Sequence, residues 1–250
     1  MNIKWESVGE GAPLLLIQGL GYGRWGWEPI VPGLAARHRV VSFDNRGIGE
    51  SDKPEGPYTA AQMAGDALQV LDEAGIDRAH VLGASLGGMI AQELAVAAPE
   101  RVDKLVLCCT TPGGPSTVPM PEVTVQLFAE AQTLAPEVAL RRFVENALGE
   151  DPPAGLVDEL FARRVANPPD PAGWQAQAAA GIGFQGVEGQ IAAPTLVLGG
   201  TADNVVDHRN AEVLATRIPG ARVELLGGTG HLFFWEQPDE SVRIINEFLK

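Results

Sequence analysis

The stretch HVLGASLGG, residues 80–88, joins an apolar β-type run to a helical segment through the turn Gly83-Ala84-Ser85-Leu86-Gly87. This is the G-x-S-x-G pattern in the strand–turn–helix setting that exposes a serine nucleophile above a sheet. Glycine at positions 83 and 87 lacks a Cβ and so permits the close backbone approach that a sharp turn needs. We therefore predict that Ser85 lies at the carboxyl edge of a parallel sheet. The backbone N–H of Leu86 is predicted to face an oxyanion formed beside it.

A glycine-rich turn between a strand and a helix can also bind phosphate. The segment GASLGG matches neither G-x-G-x-x-G nor G-x-x-x-x-G-K-[ST], however. The next β-type run ends in Cys-Cys-Thr-Thr, residues 108–111, which offers no acidic side chain for a ribose. Nucleotide binding is therefore disfavoured.

Working outward from this turn, short β-type runs alternate with helical stretches, which indicates an α/β fold with a mostly parallel sheet flanked by helices. Strands are predicted at residues 14–18, 40–44, 80–84, 104–109, 195–198 and 222–226. Residues 3–8 are expected to add an antiparallel strand at one edge. Helices are predicted at residues 58–74, 86–98, 207–217 and 238–249.

The alternation stops between about residues 112 and 188, where four amphipathic stretches are separated by Pro and Gly. Helices are predicted there at residues 121–134, 136–148, 154–167 and 171–180. We predict an α/β core formed by residues 1–111 and 189–250, with residues 112–188 inserted as a helical cap over the strand ends. The alternative is that these helices only lengthen one crossover connection.

Serine needs a base, and that base needs an orienting carboxylate. In this strand–turn–helix context the expected chain order is Ser, then Asp or Glu, then His. Of the four histidines, His38 and His80 lie at strand beginnings and His208 lies in or beside a helix. His231 follows the last predicted strand through the loop Gly-Gly-Thr-Gly, and such a loop can place an imidazole over the serine. We predict His231 as the catalytic base.

The acid is expected after the penultimate strand, where two aspartates occur. Asp203 follows the strand directly, whereas Asp207 stands where a helix is predicted to begin and is interpreted as a helix cap. Asp203 is therefore the predicted catalytic acid.

The loop after the first core strand, Gln-Gly-Leu-Gly at residues 18–21, is expected to supply a second oxyanion donor through the backbone N–H of Leu20. Trp25 follows this loop and Leu232 follows the predicted base, so both are candidate substrate-binding residues. The competing interpretation for such apolar side chains is ordinary core packing.

Composition excludes several other functions. The net charge of −14 repels nucleic acid backbones, so nucleic acid is not an expected partner. The sequence shows no apolar signal segment and no run long enough to cross a bilayer, so a cytoplasmic location and no membrane association are expected.

Only two cysteines, Cys108 and Cys109, are present, and they are predicted to be buried reduced thiols without a metal site.

Four segments together resemble the capped α/β-hydrolase family: FDNRGIGESDKP (43–54), GASLGGMIAQELA (83–95), LVLGGTADNVV (196–206) and GTGHLFFWEQP (228–238). Within that family the chain is most similar to carboxylesterases and 3-oxoadipate enol-lactonase-like enzymes. The resemblance implies Ser85 as nucleophile, Asp203 as acid and His231 as base, and it implies no cofactor. It also implies that Arg46 braces a loop.

One position departs from the family pattern, because relatives usually have His-Gly where this chain has Gln18-Gly19. Relatives that are haloalkane dehalogenases or epoxide hydrolases use aspartate in place of Ser85, so those activities are not expected. The predicted activity is cleavage of a small-molecule carboxylic ester or lactone through an acyl-enzyme on Ser85. The alternative is a ligand receptor that keeps the triad without efficient turnover.

Overall fold

Seven strands form a single sheet in the computed structural model, which describes residues 1–250. The strands are β1 (Trp5–Val8), β2 (Ala12–Ile17), β3 (His38–Phe43), β4 (Ala79–Ala84), β5 (Val102–Cys108), β6 (Thr195–Gly200) and β7 (Arg222–Leu226). Their order across the sheet is β1-β3-β2-β4-β5-β6-β7. β1 pairs antiparallel with β3, and all other neighbouring strands run parallel. The predicted α/β class and the antiparallel edge strand are confirmed.

Ten α-helices accompany the sheet, and none of them has the length and apolar character needed to cross a membrane. They are α1 (Val31–Ala35), α2 (Ala60–Glu73), α3 (Leu86–Ala97), α4 (Glu122–Ala131), α5 (Pro136–Asn146), α6 (Leu156–Ala166), α7 (Pro171–Ile182), α8 (Asn210–Arg217), α9 (Phe233–Glu236) and α10 (Pro238–Leu249). Short 3-10 turns occur at Arg24–Trp27, Pro99–Arg101 and Gly114–Ser116.

The core consists of two apolar layers, one on each face of the sheet. Leu14 and Leu16 of β2 point into one layer, while Leu15 and Ile17 point into the other, as the two-residue period of a strand requires. All four side chains are fully buried, and each contributes about 1.5–3 kcal/mol of burial free energy. A continuous apolar run thus marks a central strand covered on both sides.

Residues 112–188 contain helices α4 to α7 and no strand, as expected. Their observed bounds lie within three residues of the predicted ones. Val144 and Leu160 from α5 and α6 pack into one apolar layer, whereas Ala176 and Ala180 from α7 pack into the other. We call residues 112–188 the cap below; that they form a separate domain stays a prediction.

Two details differ from the sequence-based expectations. Helix α8 begins at Asn210 rather than at Asp207, and Asp207 instead precedes a turn, where its Oδ1 accepts the Arg209 N–H at 2.9 Å. The short helices α1 and α9 were not predicted, because four or five residues are too few to show a helical period.

The parallel pairing brings the ends of β2, β4, β5, β6 and β7 to one edge of the sheet. The residues that directly follow these ends are the loop 18–22, Ser85, Cys109, the segment leading to Asp203 and the segment leading to His231. The topology therefore gathers the predicted catalytic residues at a common edge.

Candidate active site

Ser85 occupies a strained turn between β4 and α3. Its backbone has φ 56° and ψ −119°, a conformation that a non-glycine residue rarely adopts. A Cβ on Gly83 would overlap the carbonyl oxygen of Gly87, and a Cβ on Gly87 would overlap that of Ile17. The two glycines of the motif are thus required by close backbone approach, which is the reason the sequence suggested.

The end of β5 holds this turn in place. The N–H of Ser85 donates to the carbonyl of Cys108 at 2.9 Å, and the hydroxyl of buried Thr110 donates to the carbonyl of Ser85 at 2.7 Å. Fixing both backbone groups of Ser85 stabilises its unusual conformation. Thr110 was not singled out from the sequence, because its only signal is its place directly after the neighbouring strand.

Asp203 and His231 form a buried pair. His231 Nδ1 lies 2.8 Å from Asp203 Oδ2, and both residues are less than one-tenth exposed. The other carboxylate oxygen, Oδ1, accepts the backbone N–H groups of Val205 and Val206 at 2.7 and 2.9 Å. Because all three contacts use the carboxylate, its orientation is fixed, and it can hold the imidazole with Nε2 free to act as a base.

The surroundings of His231 change the pKa of its imidazole. Burial of His231 opposes its positive charge, but the Asp203 carboxylate and the adjacent Cys109 side chain together outweigh this and raise the pKa of His231 well above its ordinary value. The imidazole therefore has a strong affinity for a proton, which favours a role as general base.

Buried Glu236 anchors the loop that carries His231. One of its carboxylate oxygens accepts the N–H of Gly230 at 2.7 Å, and the other accepts the N–H of Gly149 in the cap at 2.9 Å. Burial raises the pKa of Glu236, while these two hydrogen bonds counteract the increase. The N–H of Leu232 also donates to the carbonyl of Ala147 in the cap at 3.0 Å. The histidine loop is therefore attached to the cap on both sides of His231.

The loop that carries Asp203, which we call the acid loop, also contacts the cap. The hydroxyl of Thr124 on α4 donates to the carbonyl of Asn204, directly after Asp203. Asn146 on α5 in turn donates its side-chain N–H to the Thr124 hydroxyl at 2.7 Å. None of these cap residues was singled out from the sequence, because long-range polar contacts leave no local pattern.

Half-buried Ser85 does not hydrogen bond to His231 in this structure. The Cβ and Oγ of Ser85 would lie 3.1 and 3.7 Å from a Cβ placed on Gly19. The hydroxyl therefore lies beside the loop of residues 18–21, which we call the oxyanion loop. In free enzymes such catalytic hydrogen bonds are often long and tighten only with substrate. The structure thus brings all three predicted residues to one edge, with two of them in direct contact.

The two predicted oxyanion donors flank Ser85. Leu86 is the first residue of α3, so its N–H has no partner within the helix and lies at the positive end of the helix dipole. The N–H of Leu20 makes no hydrogen bond with the protein. Both N–H groups are therefore unpaired within the protein, and their role as oxyanion donors stays a prediction.

The predicted pocket residues have different environments. Half-buried Trp25 contacts the ring of Tyr22 at a centroid distance of 5.0 Å and that of Trp235 at 6.3 Å. Leu232 is 5% exposed and packs in one of the two core layers. Both lie beside site loops, and their contact with substrate stays a prediction.

Cys109 lies beside the Asp203–His231 pair, a position that was not predicted from the sequence. The sulfur, a ring nitrogen of His231 and a carboxylate oxygen of Asp203 lie within 4.8 Å of one another. Burial raises the pKa of the Cys109 thiol, which therefore stays protonated at neutral pH and is a weak nucleophile. Thiolate, imidazole and carboxylate are possible zinc ligands, but a metal here would have to displace the proton between His231 and Asp203.

The arginines near the site are engaged by other groups. Arg46 pairs with Asp66 through two contacts of 2.5 and 2.7 Å, which confirms its predicted role as a loop brace. The other arginines bind partners as follows: Arg24 with Glu50, Arg141 with Asp158, Arg142 with Glu130, Arg163 with Glu28 and Arg164 with the carbonyl of Gly21. Each of these guanidinium groups therefore already has at least one acceptor, although the buried Nη1 of Arg24 has no partner.

Comparison with known proteins places these features in a family context. The family model described as "alpha/beta hydrolase fold" matches residues 12–238. The chain is 32% identical to the carbamate hydrolase candidate RutD of Azorhizobium caulinodans, over 99% of this chain and 93% of that protein. It is also 32% identical to the 2-hydroxy-6-oxononadienedioate/2-hydroxy-6-oxononatrienedioate hydrolase of Cupriavidus pinatubonensis, over 99% of this chain and 90% of that one.

A solved structure of similar architecture is the enol-lactonase from Burkholderia xenovorans LB400. It matches with a TM-score of 0.83 and 29% sequence identity, covering 99% of this chain and 96% of the enol-lactonase. The likeness therefore includes the cap as well as the sheet.

Proposed function

Since this chain belongs to the α/β-hydrolase family, we propose that it is a serine hydrolase that cleaves a small, neutral carboxylic ester or lactone through an acyl-enzyme on Ser85. The observation that carries the proposal is the buried contact of 2.8 Å between His231 and Asp203, at the sheet edge where Ser85 occupies a strained turn. A serine, a base and an orienting acid in this arrangement perform acyl transfer.

In the acylation step, Nε2 of His231 accepts the proton of Ser85 while Oγ bonds to the substrate carbonyl carbon. The carbonyl oxygen becomes an oxyanion, which the N–H groups of Leu20 and Leu86 stabilise. When the intermediate collapses, the bond from carbon to the alcohol oxygen breaks, and the imidazolium gives its proton to the leaving alcohol. The acyl group remains on Ser85.

Deacylation repeats these steps with water in place of Ser85. His231 accepts a proton from water as the water oxygen bonds to the acyl carbon. The bond from that carbon to Oγ then breaks, and His231 returns the proton to Oγ. Asp203 keeps Nδ1 protonated throughout and stabilises the imidazolium formed in each step. The carboxylic acid product leaves, and the free serine is restored.

The preference for a neutral substrate rests on the charges around the site. The chain carries a net charge of −14, and the arginines near the site already bind carboxylates or backbone carbonyls. A dianionic substrate, such as the dioate in the name of the Cupriavidus relative, would therefore meet only arginines that already bind an acceptor.

Comparing neutral p-nitrophenyl esters of increasing acyl length with an anionic enol-lactone tests this preference. We expect the highest kcat/KM on a short or medium neutral ester and much weaker turnover of the anionic lactone. A higher kcat/KM on the anionic lactone would contradict a neutral substrate while leaving the serine mechanism in place.

A serine-directed phosphonate separates an enzyme from a receptor of the same fold. We expect the intact mass to increase by one phosphonyl group on Ser85, together with multiple turnovers of ester by untreated protein. Slow chemistry that stops after one equivalent would indicate a receptor and contradict the proposed enzyme.

The rate should depend on pH through His231. Only the neutral imidazole can accept the Ser85 proton, and the Asp203 carboxylate raises the pKa of His231. We therefore expect kcat/KM on a neutral ester to increase with pH, with a midpoint above the ordinary value of about 6.5. The measurement is a profile of kcat/KM from about pH 5 to about pH 9. A midpoint at or below the ordinary value would contradict the assigned pairing.

The same shift links pH to stability with the opposite sign. Because the folded-state pKa of His231 is raised, protonation of this residue stabilises the fold fully below its unfolded pKa. That contribution is lost as pH increases through the folded-state pKa, the range in which activity is gained.

A further inference from the structure

Two cap side chains hold the backbone of Gly21, the residue after the proposed oxyanion donor Leu20. We propose that Gln177 on α7 and Arg164 on α6 are positioning residues that fix the N–H of Leu20, so that the oxyanion hole is complete only while the cap is docked on the sheet edge. This inference rests on the proposed serine hydrolase function.

Both polar backbone groups of Gly21 are bound by the cap. Gln177 Oε1 accepts the N–H of Gly21 at 3.0 Å, and Arg164 Nη1 donates to its carbonyl at 2.6 Å. The ring of Trp174 covers the same residue, since a Cβ on Gly21 would lie 2.6 Å from the indole Cδ1. The N–H and the carbonyl belong to consecutive peptide units, so the cap anchors both units that follow Leu20.

The Gln177 amide has one possible orientation. The side chain is fully buried, and its Nε2 donates to the carbonyl of Arg46 at 2.7 Å while its Oε1 accepts from Gly21. Arg46 is itself held by the two contacts with Asp66 on α2. Gln177 therefore links the oxyanion loop to a braced part of the core, and its loss would leave a buried N–H on Gly21 without a partner.

The other side of Leu20 is held by the core rather than by the cap. Gln18 Oε1 accepts the N–H of Gly19 at 2.8 Å, and Asn45 Nδ2 donates to the carbonyl of Gln18 at 2.9 Å. The unpaired N–H of Leu20 thus lies between a stretch held by the core and a stretch held by the cap. If the cap moves away, only the second stretch is released, and the Leu20 N–H loses its fixed direction.

Replacing Gln177 with methionine removes the acceptor while keeping the length of the side chain. We expect Gln177→Met to lower kcat about 10- to 100-fold with little change in KM, a smaller loss than the 10²–10³-fold typical of deleting an oxyanion donor. A trifluoromethyl ketone analogue of the ester forms an oxyanion adduct with Ser85. Its affinity should fall by the same factor as kcat/KM, because both report stabilisation of the oxyanion.

Gln175 provides a matched control, because it is an exposed glutamine on the same helix. Gln175→Met is expected to keep wild-type kcat and analogue affinity. Arg164→Met tests the contact with the Gly21 carbonyl independently, and this test remains possible if Gln177→Met does not fold. We expect a loss in kcat of about 10-fold in Arg164→Met, and Arg164→Lys should restore most of it, because lysine can still donate to the Gly21 carbonyl.

Hydrogen exchange at the Gly21 amide separates this inference from the proposed function. Exchange should be faster in Gln177→Met than in wild type and unchanged in Gln175→Met, whether or not the protein turns over an ester. Absence of Ser85-dependent turnover in wild type would refute the proposed function. Unchanged Gly21 exchange, a kcat within about twofold of wild type, or a loss confined to KM would overturn the positioning role.

Discussion

Ser85→Ala is expected to lower kcat for ester hydrolysis about 10⁶-fold, equivalent to about 8 kcal/mol of transition-state stabilisation. Without the hydroxyl no acyl-enzyme can form, and the remaining groups can only favour direct attack by water. The Ser85 side chain makes no hydrogen bond, so the melting temperature should stay close to that of wild type. The measurement is kcat on a neutral p-nitrophenyl ester together with the thermal unfolding curve.

Ser116→Ala is the matched control, since Ser116 is exposed in the 3-10 turn at the start of the cap. It should retain full activity and should still be labelled by the phosphonate, whereas Ser85→Ala should not be labelled. A folded Ser85→Ala protein that keeps wild-type turnover would remove Ser85 from the mechanism.

Asp203→Asn is expected to lower kcat about 10⁴-fold with the fold retained. The asparagine carbonyl can still accept the N–H groups of Val205 and Val206, as Oδ1 does now. Its NH₂ group then faces Nδ1 of His231, which must become an acceptor, so the imidazole proton moves to Nε2. In that tautomer His231 cannot accept the proton of Ser85. The loss of the carboxylate charge should also lower the pKa of His231, which an NMR titration of the imidazole can measure.

Asp207 supplies the comparison, because it is the other carboxylate in the same segment and its partner is Arg209 at 2.6 Å. Asp207→Asn should leave both kcat and the His231 pKa unchanged. Equal losses in the two variants would mean that the segment, rather than the Asp203 carboxylate, is responsible.

Local sequence predicted the sheet and its catalytic edge because the relevant signals are short in range. The apolar run 14–17, the glycines around Ser85 and the glycine-rich loop before His231 each specify a local backbone, and parallel pairing then aligns their ends. Asp203 was preferred over Asp207 because it directly follows the strand and Asp207 was interpreted as a helix cap, and the structure places Asp203 against His231.

The contacts that hold the site were not predictable in the same way. Gln177 binds a residue 156 positions away and belongs to no motif, and Glu236, although it lies in the segment 228–238, gave no sign of its contact with Gly230. The nearness of Cys109 to His231 likewise depends on the order of β5 and β6 in the sheet. Buried polar side chains find partners through the tertiary fold, so their roles become visible only once it is known.

The cap reaches the oxyanion, acid and histidine loops through separate hydrogen bonds, at Gly21, Asn204 and Leu232. Exchanging residues 112–188 for those of a relative would therefore change the contacts of all three loops at once. A productive chimera would need to keep the few anchoring side chains while its remaining surface diverges. Because the cap contacts three loops of the proposed site, we expect it to tolerate less sequence change than a lid that merely covers a pocket.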